Sequence, residues 1–445
     1  MGHAAKFNGL RVGVATFGAM LLLVACGQRE EILEGERFDL RDGFLSQVER
    51  SADDLPVAIR LPGQVANASW THRAGDADHH ITHPALGAGT TVVWSAEIGQ
   101  GNDRRHRITA DPVVAGGLVF TLDSRAAVQA TDAATGAVRW RADLTPPGER
   151  ADDASGGGLA VGGGVLYVTT GFGELVALDA ATGSERWRQD FGAAATGAPT
   201  VFDGKIYVST KDNRGWAVRA EDGRIDWQFA ATPSPSSLVG GAGPAVADGM
   251  AVFPFSSGEL VSVFAKGGTE RWRTPVAGRR PGFAYTRVSD ITADPVLLGD
   301  TVYSGNQSGR VVAMSAGSGE LVWSANEGAY SPLWVTTGAI FLISDQGALV
   351  RLDRASGQTV WSVAFPGYEN DNPRRIKDVY AYYGPVLAGG KLWVGFDSGS
   401  LRAFSPETGA ELVVVEVPSG AARNPVVAGG TLYLVTQNGQ LLALR

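Results

Sequence analysis

At 445 residues the chain exceeds what one compact core ordinarily fills, so it is either two or three domains or one large repetitive architecture. Sixty glycines, 44% hydrophobic residues and only 19% charged residues exclude both disorder and long helices, leaving a turn-dense all-β chain. A formal net charge of -8 without any basic run interleaved with aromatics excludes nucleic acid as a partner, and one cysteine excludes a disulfide framework or a multi-thiolate metal site.

Lys6 and Arg11 precede an apolar run from Val12 to Ala25 that holds Phe17, Met20, Leu21, Leu22 and Leu23. This is the layout of a secretory signal peptide over residues 1–25, too short for a comfortable transmembrane helix. The run ends in Leu23-Val24-Ala25-Cys26, which resembles a bacterial lipobox and puts the only cysteine where a thiol takes the diacylglyceryl group. Each buried acyl CH₂ contributes about 0.8 kcal/mol, so a multiply acylated Cys26 anchors the chain without a spanning helix. Gly27, not aspartate, follows, and in this the chain resembles lipoproteins passed to the outer membrane, facing the periplasm. Residues 26–67 read as the lipidated N-terminus and a polar tether with room for a short amphipathic helix near Ile32, Leu33, Phe38 and Leu45.

Four of the six histidines then fall close together, as His72, His79, His80 and His83, with Asp76 and Asp78 among them. Imidazole and carboxylate are competent zinc ligands, but nothing here places them on one helix face, and the segment reads as a solvated or hydrogen-bonded polar loop that holds no metal. His106, beside Arg104 and Arg105, reads as part of a charged loop tip.

From Trp94 onward one unit recurs: apolar runs separated by glycine turns, then Ala-x-Asp-x-x-Thr-Gly-x-x-x-Trp or a close variant. Each copy reads as a four-stranded antiparallel meander. Its closing tryptophan falls at Trp94, Trp140, Trp187, Trp227, Trp272, Trp323 and Trp361, with Val413 in the equivalent place after Ser405-Pro406-Glu407-Thr408-Gly409. Successive positions lie 38 to 52 residues apart, the length of one propeller blade. These tryptophans are assigned to packing between blades. Trp94 opens the pattern as a fourth strand with no preceding three, and the chain ends on three strands with no fourth. The reading is therefore one eight-bladed β-propeller over residues 68–445, closed by pairing the Trp94 strand with the C-terminal blade.

The repeated unit resembles the tryptophan-docking repeat of pyrroloquinoline quinone (PQQ) dehydrogenases, and with the lipobox it resembles the BamB-like outer-membrane assembly lipoproteins within that superfamily. Arg287-Val288-Ser289-Asp290-Ile291-Thr292-Ala293-Asp294-Pro295-Val296 resembles that family's Arg-Leu-Ser-Asp-Val-Asp-x-x-Pro-Val segment, and Val417-Pro418-Ser419-Gly420 with Asn424-Pro425-Val426 resembles its final blade. The resemblance implies a non-catalytic scaffold that docks on the barrel-inserting, BamA-like subunit and hands over unfolded outer-membrane proteins. It implies a docking face in which Asp290 matches the first acid of an acidic pair, while Thr292 stands in place of the second. Leu238 and Gly240 fit the family's Leu-x-Leu-Arg-Gly loop, with Val239 in place of its arginine. Arg287 and Asp290 read equally well as a local salt bridge.

The competing readings are an envelope propeller for another protein or a polysaccharide, and a PQQ dehydrogenase. The second demands residues this sequence lacks: an adjacent cysteine pair, a Cys-x-x-Cys-His haem site, or acids at calcium-loop spacing. The expectation is no enzyme activity and no cofactor.

Overall fold

Short apolar runs joined by glycine turns fold as hairpins because the turn needs positive φ, which glycine adopts without steric cost. Gly163 and Gly164, at φ 59° and 76°, join strand Gly157–Gly162 to strand Val165–Thr170 in this way. The computed structural model describes residues 58–235, 237–238, 240–276, 278, 280, 288–368 and 379–445. Among them are eight four-stranded antiparallel sheets and no helix. The signal-peptide, Cys26 and most of the tether assignments lie outside the described residues.

Seven blades are consecutive meanders, at residues 113–143, 157–190, 200–230, 245–275, 291–325, 334–364 and 382–416. Blade 8 joins the two ends of the chain: Val426–Ala428, Thr431–Val435 and Gln440–Leu444 supply three strands, and Val92–Glu97 is the outermost. Trp94 pairs with Ala443, and Thr91 and Arg445 exchange backbone hydrogen bonds of 3.1 and 3.0 Å. The predicted eight-bladed ring and its closure are therefore what forms.

The tryptophans sit on the outermost strands, each directed at the following blade. The Nε1 of Trp140 donates to Ala180 O at 3.0 Å, and a Cβ added at Gly183 would lie 2.5 Å from the Trp140 ring. The same indole-to-glycine contact joins Trp94 to Gly136, Trp187 to Gly223, Trp227 to Gly268, Trp272 to Gly319, Trp323 to Gly357 and Trp361 to Gly409. Val413 marks the one place where this contact has no receiver. The blade after it is blade 8, whose third and fourth strands are joined by the meeting of Arg445 and Thr91, not by a Thr-Gly turn.

Of the two forms expected for the histidine-rich loop, solvated or hydrogen-bonded, the structure shows the second. Residues 67–84 form a belt across the channel end where the first and second strands of each blade turn. They bond to the blades in order round the ring. Trp70 exchanges backbone hydrogen bonds with Val114 of blade 1, and Thr71 O accepts from Val161 N of blade 2. His72 Nε2 accepts from Val201 N of blade 3 at 3.0 Å. Ala77 O accepts from Val246 N of blade 4, and Asp78 O from Leu297 N of blade 5. His80 bonds the Val335 backbone of blade 6. His83 Nε2 accepts from Gly390 N of blade 7 at 2.9 Å, and Asn67 O from Gly429 N of blade 8. The belt's imidazoles thus satisfy strand ends that would otherwise be buried without partners. Just before it, Ile59 and Leu61 pack against the core and Val65 pairs with Pro84, so the last residues assigned to the tether also lie against the propeller.

Candidate docking surface

The loops that enter the first strand of each blade lie at the other end of the channel. Two of them, before blades 4 and 5, bring together residues that the sequence places one blade apart. Half-buried Leu238 gives its backbone N–H to the carboxylate of Asp290. Asp290 is 5% exposed, its Oδ2 has no hydrogen-bond partner, and desolvation pushes its pKa up to about 6. With Thr196, Phe255, Ser256 and Ile291 these two residues line a small pocket. Asp290 is thus a recessed acceptor and not a projecting charge. Val239 and Arg287 lie outside the described residues.

Thr292, standing where a second acid was anticipated, is buried and donates its hydroxyl to Ala329 O of the loop leading into blade 6. A carboxylate there would face that carbonyl, so the departure suits the local packing. Gly240, at φ 72°, crosses the channel end, since a Cβ on it would lie 3.0 Å from Thr109 before blade 1.

Between belt and loops lies an ionic cluster that sequence reading missed. Arg73, from the belt, places Nε 3.6 Å from Asp111 Oδ2 and 3.5 Å from Asp294 Oδ2, and its Nη1 donates to the carbonyls of Gly240 and Gly241. Both carboxylate side chains are fully buried. Asp111 also accepts from Arg423 Nε at 2.7 Å and from Asn424 Nδ2 at 2.7 Å, while Asp294 Oδ1 accepts from Gly243 N at 2.7 Å. The available signal was the recurrence of Asp111-Pro112-Val113, Asp294-Pro295-Val296 and Asn424-Pro425-Val426 at the mouths of three inner strands. The channel also keeps a cavity lined by Trp70, Arg73, His79, Ile81, Trp334 and Val386, with the Trp70 and Trp334 rings 6.1 Å apart.

The four clustered histidines do not converge. His72, His79 and His83 are buried and bond to different blades, with His79 Nδ1 2.9 Å from Pro295 O. Among the described residues no group of three or more side chains is arranged to hold a metal ion. His106 belongs to a charged loop group, as the sequence suggests, but its ring is buried there, bonded to Asp103 and to Asp152 O.

A family model described as outer membrane protein assembly factor BamB matches residues 124–363 and 377–445. The chain is 27% identical over 360 residues to the protein of that name from Yersinia pestis, covering 79% of this chain and 88% of that one. It is 26% identical over 359 residues to the Burkholderia pseudomallei protein of the same name, covering 79% and 87%. The crystal structure of BamB from Moraxella catarrhalis superimposes with a TM-score of 0.66 at 18% identity, over 80% of this chain and 99% of that one. A quinohemoprotein alcohol dehydrogenase from Comamonas testosteroni superimposes with a TM-score of 0.65 at 16% identity, over 84% and 80%, a likeness of fold alone.

Proposed function

This chain belongs to the family of the outer membrane protein assembly factor BamB, and on that premise we propose that it is a non-catalytic, lipid-anchored scaffold of outer-membrane β-barrel assembly. The observation that carries the reading is the family match across most of the propeller, joined to relatives that are named as assembly factors. Acylated Cys26 would hold the propeller at the periplasmic face of the outer membrane and raise its effective concentration beside membrane-embedded partners. The recessed Leu238–Asp290 pocket, with Gly240 beside it, would receive the barrel-inserting subunit: an acceptor without a partner, framed by apolar side chains, suits a donor carried on a small knob of that protein. Unfolded barrel proteins would be handed over from the same scaffold.

The test is a deletion strain. Levels of outer-membrane barrel proteins should fall, should be restored by the wild-type chain, and should not be restored fully by Cys26→Ser. Unchanged barrel levels on deletion would overturn the assembly role.

A further inference from the structure

The eight outermost strands divide the ring into two halves. The residue before each docking tryptophan, or before Val413 in its place, is Arg139, Arg186, Asp226 and Arg271 in blades 1 to 4, but Val322, Val360, Leu412 and Val93 in blades 5 to 8. The residue after it is Arg141, Arg188, Gln228 and Arg273 in the first half, and Ser324, Ser362, Val414 and Ser95 in the second.

In the first half these long side chains cover the clefts between neighbouring edges. Arg141 donates to Glu97 O, Arg188 to Leu144 O and Arg273 to Ala230 O, each a carbonyl of the preceding blade's rim. The acids there are paired as well: Asp132 with Arg139, Asp179 with Arg186, and Glu259 with Arg273. The corresponding positions of the second half hold valine, leucine or serine, too short to bridge to a neighbouring rim. Val322 is 62% exposed and Leu412 52%, and each strand is the last of its sheet with a free outer edge. Glu97, Glu320 and Glu416 are exposed at or beside the ends of these strands, and none has a basic partner among the described residues.

Charged side chains on edge strands are the usual guard against pairing with another chain. Here a charged residue precedes the docking position on four successive edges, and a valine or leucine takes its place on the next four. We propose that the rim of blades 5 to 8 is a strand-addition surface for unfolded barrel segments whose apolar residues alternate and whose ends are basic. This rests on the assembly role proposed above. Backbone bonds to a free edge supply affinity without a sequence requirement, the valines and Leu412 bury the alternate apolar side chains, and the glutamates that lack a basic partner receive basic ends.

The test uses the full-length protein in mild detergent and a fluorescent peptide of alternating valine and threonine, ended by lysines or, for comparison, by glutamates. Wild type should bind the lysine-ended peptide, and the glutamate-ended one about tenfold more weakly. Val322→Lys combined with Leu412→Lys should weaken binding about tenfold or more, while Arg139→Lys combined with Arg271→Lys should leave it unchanged. Both changes in the first pair are at exposed positions, and a retained thermal midpoint verifies folding. Equal binding by the edge variant, or no binding by wild type, overturns the surface. Co-purification of wild type with the barrel-inserting protein separates the two claims: if it persists where peptide binding is absent, the strand-addition surface falls and the assembly role stands.

Discussion

Arg73 and Asp294 meet 3.5 Å apart, Nε to Oδ2, the one from the belt across the channel and the other from the first strand of blade 5. Asp111 of the segment leading into blade 1 approaches the same guanidinium at 3.6 Å, so one cation ties the belt to two separate blades. A buried carboxylate left without its cation is costly. Arg73→Met is therefore expected to destabilise the propeller by about 3 to 5 kcal/mol in denaturant unfolding, with a smaller loss when Asp294→Asn is added to it. Equal losses for the single and double variants would mean that the ion pair is not the source.

The belt should also make stability depend on pH. Burial lowers the pKa of His72 to about 3 and lowers those of His79 and His80. The unfolded chain then binds protons that the folded chain refuses, so stability is fully present above the ordinary imidazole value of 6.5 and is lost as pH falls below it. Asp76 works in the opposite sense. Burial and the neighbouring Asp78 push it up to about 8, so its contribution declines as pH rises from its ordinary range toward 8. His72→Gln should flatten the acid limb of a stability profile, and Asp76→Asn the alkaline limb. A profile unchanged by either substitution would contradict the belt's burial.

Where indole and glycine touch, size decides. Gly268→Ala places a methyl group about 2.6 Å from the Trp227 ring at φ 71° and is expected to cost roughly 1 to 3 kcal/mol. Gly249→Ala has a similar φ of 74° but open space around it, and should cost less. Thermal unfolding of the two variants side by side isolates the docking contact.

Val413 supplies the converse. Trp361→Ala, which removes a buried, docked indole, should cost about 3 to 5 kcal/mol, whereas Val413→Trp should gain nothing beyond about 0.5 kcal/mol, because blade 8 offers no receiving turn. A large stabilisation by Val413→Trp would show that some other surface receives it.

The ring was legible in the sequence because its signals are local and repeated: a tryptophan at blade spacing, a glycine at each tight turn, and one orphan strand at the start of the pattern against three without a fourth at its end. The belt was not. His72, Arg73 and His83 look like an ordinary polar loop because their partners are backbone groups and carboxylates contributed by blades far along the chain, and no period marks them. Asp290 and Leu238 were found through family resemblance. What only the structure supplied is that Leu238 N–H meets the Asp290 carboxylate, and that this carboxylate is recessed. The two-sided rim was open to inspection in the sequence, since it needs only the residues flanking each tryptophan, but its meaning depends on knowing that those strands are the outer edges.

The most direct measurement is a mild-detergent pull-down of the full-length lipoprotein from envelope membranes, beside Leu238→Arg, with captured partners identified by mass. The expected result is that wild type captures the barrel-inserting outer-membrane protein and that the variant loses it while remaining folded. Failure of wild type to capture that protein from membranes that contain it would contradict the assembly role.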